Sequence, residues 1–454
     1  MVISKLEARE KTMFKDKYSR QQERLVDLLE TSARRLGKTT GFVQRQSKLS
    51  AAVFVQGLVL TWLEKPLASL SVVAQSCSEL GVEISVAGLQ QRLNGAAVAL
   101  LRGLVEQALA LQSSLALVPE GVLRAFSAIY VLDSTSWALP AHLKGLFEGQ
   151  DYRGERGEVK IQLSFDYKAG NIAALEVMAG READQNCQQH VELAGPGTLH
   201  LFDLGFFKVQ VFQALSGLGA YFISRLQSQT GIYELGQAGQ ALDLVATLEG
   251  QESVLGEMEI AIGRQCHLKV RLIFEHLPPD VVAQRRRKAK EAARRGGYIP
   301  SERHLALLGY ALFITNIPSH ILAPKHIILL YRLRWQVELI FKLWKSQALL
   351  STIPHCGKCR FLCQFYARLL ALLLFHQLLD GLPLPPPYAE LSLPKAFSLI
   401  QGFASQLQQA LSEHSQRAWT RFFQALHRQL LHLALKQKRR KHPSTLALIL
   451  AQAL

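Results

Sequence analysis

Short apolar runs typical of buried strands fill the middle of the chain, and helix-forming sequence lies on both sides of them. The strand-like runs fall at residues 125–133, 160–167, 172–178 and 198–203. A short predicted helix near residues 184–193 separates the last two. Three strands in a meander, followed by a helix and a fourth strand, form a sheet with both antiparallel and parallel pairs. The pattern therefore predicts a mixed α/β core flanked by helical N- and C-terminal regions.

The net charge of the chain indicates which classes of partner it can bind. Lysine and arginine total 52 against 36 acidic residues, a formal charge of +16. Such an excess favours a polyanion, nucleic acid first and an anionic membrane surface second. The most apolar run, Leu369 to Leu379, contains His376 and Gln377 and falls short of the roughly 20 residues that a membrane span needs. With six cysteines, too few for a disulfide scaffold, we expect a cytosolic protein with reduced thiols and no membrane partner.

A long helix is predicted from Pro324 to Gln347, and it carries one unusual polar stripe. At 100° per residue, Tyr331, Arg334, Glu338 and Lys345 fall on one narrow face, opposite an apolar face. A solvated amphipathic helix with an Arg334–Glu338 ion pair would show the same periodicity. Alternatively, the stripe presents a carboxylate between cations to a ligand.

Two further acids are predicted to end strands of the core, Asp133 on the first and Asp203 on the fourth. A single acid in such a place is commonly a turn or cap residue. Three carboxylates from separate elements, however, can hold two divalent cations, and their hard oxygens suit Mg²⁺ or Mn²⁺. Two such ions stabilise the attacking and leaving oxygens of an in-line phosphoryl displacement. Asp133, Asp203 and Glu338 are therefore the predicted metal ligands of such a site.

Two segments outside this site have the character of DNA-binding elements. A predicted helix at 284–297 carries Arg285, Arg286, Arg287 and Lys288 among seven cations, which favours contact with phosphates over a merely solvated helix. Residues 69–94 outline a helix-turn-helix. Two helices of a small bundle give the same outline, and the sequence favours the bundle.

Taken together, these segments resemble the DDE transposases of bacterial insertion sequences, in the family with the Y-R-E-K motif. The pattern Y-x2-R-x3-E-x6-K is met from Tyr331 to Lys345 without a gap. The family's Asp-Ser-Thr block is matched at 133–135, with Leu-Pro at 139–140, and its Asp-x-Gly-Phe block is matched at 203–206. The resemblance implies a ribonuclease-H-like core with Asp133, Asp203 and Glu338 as the catalytic and metal-binding triad.

The resemblance also implies roles for the other motif residues. Arg334 and Lys345 would contact phosphates near the transposon end, and Tyr331 would pack against the DNA backbone there. Family members that cut through a DNA hairpin use a tryptophan in a β-rich insertion between the second and third acids. The predicted insertion, residues 218–304, has no tryptophan, so a hairpin step stays open.

On this basis we predict a cut-and-paste transposase with five regions. They are a helical DNA-end-binding region (1–115), the first part of the ribonuclease-H-like core (116–217), a β-rich insertion (218–304), the second part of the core (305–350) and a helical, possibly dimerising region (351–454). Expected partners are double-stranded DNA, as inverted-repeat ends and target, and a second copy of the chain in a homodimer. The expected location is the bacterial cytoplasm, at the nucleoid. A non-transposing nuclease of the same fold and a non-enzymatic DNA-binding protein are the alternatives.

Overall fold

The computed structural model describes residues 17–45, 48–111, 121–150, 155–236, 240–352, 356–380, 382, 391–436 and 448–449. Most of the proline-rich segment 380–388 and of the basic segment 435–444 lies outside these ranges.

A single mixed sheet organises the middle of the described chain. Its strands are β1 Ile129–Leu139, β2 Gly157–Asp166, β3 Asn171–Ala179, β4 Leu199–Phe202, β5 Tyr221–Arg225, β6 Ile232–Tyr233, β7 Leu255–Ile262, β8 Leu268–His276 and β9 Tyr310–Thr315. Among the described residues their order is β3-β2-β1-β4-β5-β9-β8-β7-β6. The first three strands pair antiparallel, and β1, β4 and β5 pair parallel. The predicted meander, the helix before the fourth strand and the mixed α/β class are confirmed.

Two predictions about the strands are wrong. β1 does not end at Asp133 but continues for six more residues to Leu139. The extension is polar, yet its backbone stays paired with β2 from Asp133↔Leu163 to Leu139↔Gly157, because ladder hydrogen bonds do not require apolar side chains. β5, predicted as part of the insertion, pairs parallel with β4 and belongs to the core.

The strands of the predicted insertion do not form a separate sheet. β8 pairs antiparallel with β9, and β9 pairs antiparallel with β5. Through this connection β7 and β6 extend the core sheet at its far edge. The strands of the predicted insertion are therefore continuous with the core sheet through β9 and β5.

Helices surround the sheet on both faces. They are α1 (residues 17–39, including the π-helical turn Asp27–Ser32), α2 Ala51–Glu64, α3 Leu70–Glu79, α4 Val86–Arg92, α5 Gly95–Ala110, α6 Gln189–Glu192, α7 Val209–Gly217, α8 Leu244–Glu249, α9 Pro279–Gly296, α10 Glu302–Leu307, α11 Pro324–Tyr331, α12 Trp335–Ser346, α13 Lys358–Asp380, α14 Leu393–Gly402, α15 Ala404–Glu413 and α16 Gln416–Leu433. Strand residues alternate between two apolar clusters, so that Val131 faces the larger cluster and Leu132 the smaller one. The larger cluster also joins the N- and C-terminal helices to the sheet.

One helix among the described residues, α13, is long and apolar enough to cross a membrane. In the structure 94% of its apolar window is buried, and it packs against α2 and α5. Its apolar residues therefore form the centre of the protein core.

The long helix predicted from Pro324 to Gln347 is interrupted. α11 ends at Tyr331, one 3₁₀ turn covers Arg332–Arg334, and α12 starts at Trp335. Short 3₁₀ stretches inside helices commonly mark functional positions. Here the tighter turn lies at the two motif residues Tyr331 and Arg334, whose side chains both reach the sheet.

Candidate active site

Three acidic side chains meet where β1, β4 and α12 come together. β1 and β4 run parallel with Val131 opposite Leu201, so two residues further on Asp133 lies beside Asp203. α12 packs across β1 and carries Glu338 in its first turn. Because the carboxyl ends of parallel strands share one edge, ligands of α/β sheets commonly bind there.

The three carboxylates converge on a single guanidinium, that of Arg334. Its Nη2 donates to Glu338 Oε1 at 2.6 Å, its Nη1 lies 3.4 Å from Asp133 Oδ2, and its Nε lies 3.8 Å from Asp203 Oδ1. The Arg334 side chain is 14% exposed, against 18% for Asp133, 31% for Glu338 and 39% for Asp203. Arg334 and Asp133 are thus the buried members of the cluster, whereas Glu338 and Asp203 are open to solvent.

Burial sets the protonation of Asp133. The pKa of this carboxyl is raised from 3.8 to about 6, chiefly by burial and to a smaller extent by the like charges of Asp203 and Glu338. The Ser134 backbone N–H, which donates to Oδ1 at 2.8 Å, and Arg334 both lower this pKa. For Arg334, burial lowers the pKa, but the attraction of the neighbouring acids outweighs burial and the pKa is raised. The charged arginine therefore stays fixed among the acids.

Divalent cations fit this donor set in chemistry and charge. Carboxylate oxygens are the ligands that Mg²⁺ and Mn²⁺ prefer, and one guanidinium leaves the three acids with an excess of negative charge. Within the described ranges, no three histidine, cysteine or acidic side chains close on one point as metal ligands. The three carboxylates lie around the Arg334 guanidinium instead, at 2.6 to 3.8 Å from its nitrogens.

Two other motif residues fasten the helices to the strands. The Tyr331 hydroxyl donates to the carbonyl of Phe202, next to Asp203, at 3.1 Å, and burial raises the pKa of Tyr331 to about 12. Lys345 Nζ donates to the Ser136 carbonyl on β1 at 2.9 Å and lies 5.7 Å from the centre of the Trp137 ring. Both residues therefore position Glu338 and Arg334 against the sheet.

A buried lysine beside the site escaped the sequence analysis as a functional candidate. Lys160 on β2 is 4% exposed, pairs with Ser136 in the ladder and forms an ion pair with Asp184 at 3.2 Å. Gln162 donates to the same carboxylate at 3.3 Å. A lysine within an apolar strand was the signal that could have found it, since lysine is almost never buried without a partner.

The four cations predicted on the basic helix α9 divide into two pairs. Arg285 donates to the Tyr310 carbonyl and Arg286 to the Leu305 carbonyl, each at 3.1 Å, so these arginines hold α9 against the protein. Arg287 is 71% exposed, with Glu291 at 3.8 Å, and Lys288 is exposed.

The helix-turn-helix outline is present as α3 and α4. Ser85 caps α4 by accepting from the Gly88 N–H, and Gln90 and Gln91 are exposed. Arg92 packs over the Phe42 ring and donates to the Phe42 carbonyl at 3.4 Å. A helix-turn-helix reads DNA through side chains that reach the edges of the bases. Of Gln90, Gln91 and Arg92, only the two glutamines are exposed enough for such contact.

A family model, curated relatives and a solved structure are similar to this chain. A family model described as a transposase DDE domain matches residues 124–374, which include all three acids. The transposase for insertion sequence element IS231B of Bacillus thuringiensis subsp. berliner is 28% identical over 84% of this chain and 84% of its own length. The transposase for insertion sequence element IS1151 of Clostridium perfringens is 26% identical over 81% of this chain and 83% of its own length. A cryo-EM structure of a piggyBac transposase synaptic complex with hairpin DNA covers 88% of this chain and 78% of that chain, with 8% identity and a TM-score of 0.38.

Proposed function

The chain belongs to the transposase DDE domain family, and from that premise we propose that it cuts DNA at the ends of its element and joins the freed 3′-hydroxyl to target DNA. One observation supports this reaction above all others. Asp133, Asp203 and Glu338, which are remote in sequence, converge on one arginine at the carboxyl edge of the sheet. A structural ion pair needs one acid for one arginine, whereas this site gathers three.

Transposases of this family generally depend on divalent metal ions, and we assign Asp133, Asp203 and Glu338 as the ligands of two Mg²⁺ or Mn²⁺ ions. When bound, such ions activate the attacking oxygen and neutralise the leaving oxygen of an in-line phosphoryl transfer. The same residues would serve cleavage, in which water attacks, and strand transfer, in which the 3′-hydroxyl attacks.

The protein's own groups supply position and charge. Arg334 is the cation nearest the three acids, and we assign it to a phosphate oxygen of the bound DNA, where a planar guanidinium binds well. Lys345 and Tyr331 hold their helices on β1 and β4 through the Ser136 and Phe202 carbonyls. The Lys345 ammonium and the Tyr331 hydroxyl lie beside the site and would contact the flanking phosphate backbone of the DNA.

The formal charge of +16 gives the long-range attraction to double-stranded DNA. Arg287 and Lys288 on α9, with their exposed side chains, are the assigned backbone contacts, whereas Arg285 and Arg286 mainly fix the helix. We keep the five-region division, with β5 moved into the core: an end-binding N-terminal region, a split core, an insertion and a C-terminal region that pairs two copies of the chain. A bacterial protein that acts on chromosomal DNA works in the cytoplasm.

The decisive experiment uses linear DNA carrying an end of the element. With Mg²⁺, the wild type should cut at the boundary and join a precut 3′-hydroxyl end to a target plasmid, and Asp133→Asn should abolish both reactions while retaining DNA binding. Cleavage without joining would indicate a non-transposing nuclease. Cleavage that survives Asp133→Asn would refute the catalytic assignment.

A further inference from the structure

Strand β2 carries polar side chains on one face and apolar side chains on the other. Lys160 and Gln162 are buried, and they alternate with Ile161 and Leu163 of the larger apolar cluster. Leu163 pairs with Asp133, so the polar side chains of β2 lie on the face of the sheet opposite to that of Asp133. Because Lys160 does not face the acid cluster, its contacts on the other face decide its role.

The Lys160 ammonium fastens one short segment to this face. Its Nζ donates to the Glu182 carbonyl at 2.5 Å and lies 3.2 Å from Asp184 Oδ1, to which Gln162 also donates at 3.3 Å. A cation buried away from water is costly unless its partners are held in good geometry. The 3₁₀ turn Asp184–Asn186 is therefore fixed to β2 at its first residue.

The turn that is fixed in this way packs against a second 3₁₀ turn, Leu204–Phe206, which directly follows Asp203. A Cβ atom at Gly205 would lie 3.5 Å from Asp184 Oδ2. One oxygen of the Asp184 carboxylate thus contacts the polar side chains of β2, and the other lies against the second turn. The Phe206 N–H closes this second turn by donating to the Asp203 carbonyl at 3.1 Å. A chain of contacts therefore leads from β2 to the backbone of Asp203.

Asp203 is the acid of the cluster whose position depends most on its backbone. It is the most exposed of the three acids, and its distance to Arg334, 3.8 Å, is the longest. On its N-terminal side, the Phe202 carbonyl accepts the hydrogen bond from Tyr331. On its C-terminal side, the turn that packs against Asp184 provides the support.

We propose that Lys160 and Asp184 are positioning residues for the metal ligand Asp203. Their ion pair holds the turn after Asp203 and thereby fixes the direction of its carboxylate. The assignment deepens the proposed function and rests on it, because it takes Asp203 as a metal ligand. Since the pair lies on the other face of the sheet, it sets the affinity for the metal ions and contacts neither the DNA nor the reacting atoms.

The test needs a variant that removes the ion pair without leaving a lone buried charge. Lys160→Met/Asp184→Asn removes both charges, and replacement of a buried pair by uncharged side chains of similar volume is often neutral for stability. The matched control is Arg271→Met/Glu257→Gln. This second pair joins β8 to β7 in the insertion, and its side chains are 8% and 34% exposed, against 5% and 26% for Lys160 and Asp184.

The first measurement needs neither metal nor DNA. Hydrogen exchange of the full chain in EDTA is followed by mass spectrometry. Phe206 and Phe207 donate the two backbone hydrogen bonds that close the turn after Asp203. Their amides should exchange faster in Lys160→Met/Asp184→Asn than in the wild type, and at the wild-type rate in the control variant. Unchanged exchange of these amides in Lys160→Met/Asp184→Asn would overturn the proposal.

The second measurement separates positioning from a general structural role. Cleavage of DNA that carries an end of the element is measured over a range of Mg²⁺ concentrations. Lys160→Met/Asp184→Asn should need about 10 to 100 times more Mg²⁺ than the wild type for its half-maximal rate, and its rate at saturating Mg²⁺ should reach that of the wild type. The control variant should keep the wild-type Mg²⁺ requirement. An unchanged Mg²⁺ requirement in Lys160→Met/Asp184→Asn would contradict the positioning role.

The two proposals fail separately. If the wild type cuts its ends with Mg²⁺, and Lys160→Met/Asp184→Asn has the same exchange and the same Mg²⁺ requirement, only the positioning assignment falls. If the wild type does not cut, Mg²⁺ affinity is read from the stabilisation of the full chain against urea unfolding. A weaker affinity in Lys160→Met/Asp184→Asn would then support the positioning assignment while the proposed reaction falls, and an equal affinity would overturn the positioning assignment as well.

Discussion

Replacing the buried acid Asp133 with asparagine should stabilise the metal-free protein while abolishing its activity. Burial raises the pKa of Asp133 from 3.8 to about 6, so the folded protein binds this proton more tightly than the unfolded chain does. As the pH rises from about 4 to about 6, the unfolded chain releases the proton first, and the folded state loses stability.

The size of the effect follows from the shift. About two pKa units at 1.36 kcal/mol each give about 3 kcal/mol as the cost of ionising Asp133 in the folded state at pH 7. Since Asp133 is only 18% exposed, solvent screening reduces this value little. Asp133→Asn removes the charge and keeps the shape, so it should recover up to about 3 kcal/mol at pH 7.

The assay is urea unfolding of the full chain in EDTA at pH 7 and near pH 4. The variant should be more stable than the wild type at pH 7, and the difference should shrink near pH 4, where Asp133 is protonated. Glu252→Gln, which changes an exposed acid, should show no comparable gain. Added Mg²⁺ should stabilise the wild type more than Asp133→Asn. Equal stability of the two proteins at pH 7 would refute the reasoning about burial and like charge.

Three further changes probe the site and the basic helix. Arg334→Gln removes the cation shared by the three acids, so cleavage should fall at least about 100-fold and the pKa of Asp133, read by carboxyl NMR, should rise; an unchanged cleavage rate would contradict the assignment. Tyr331→Phe loses the hydrogen bond to the Phe202 carbonyl and should lower the free energy of unfolding in urea by about 1 kcal/mol. If the Tyr331 hydroxyl also contacts a DNA phosphate, the same variant should bind DNA more weakly than the wild type. Arg287→Ala and Lys288→Ala should each reduce the salt dependence of DNA binding by about one unit of slope, and unchanged slopes would place the DNA elsewhere.

Local sequence patterns determined most of the elements. The segment that became β2 was visible because apolar residues occupy every second position, from Val159 to Phe165, and a strand turns successive side chains to opposite faces. The four motif residues from Tyr331 to Lys345 showed which helix carries the third acid. Charge excess and motif spacing together indicated DNA as substrate, since both are properties of the chain before it folds.

Only the tertiary structure decided how these elements meet. Backbone pairing with β2 carries β1 past Asp133, and pairing with β4 places β5 in the core, because ladder partners lie far away in sequence. The 3₁₀ turn before α12 and the capture of three carboxylates by Arg334 depend on where the helix crosses the sheet. Residues from distant segments form such a site, and their distances in space are set by packing rather than by spacing along the chain.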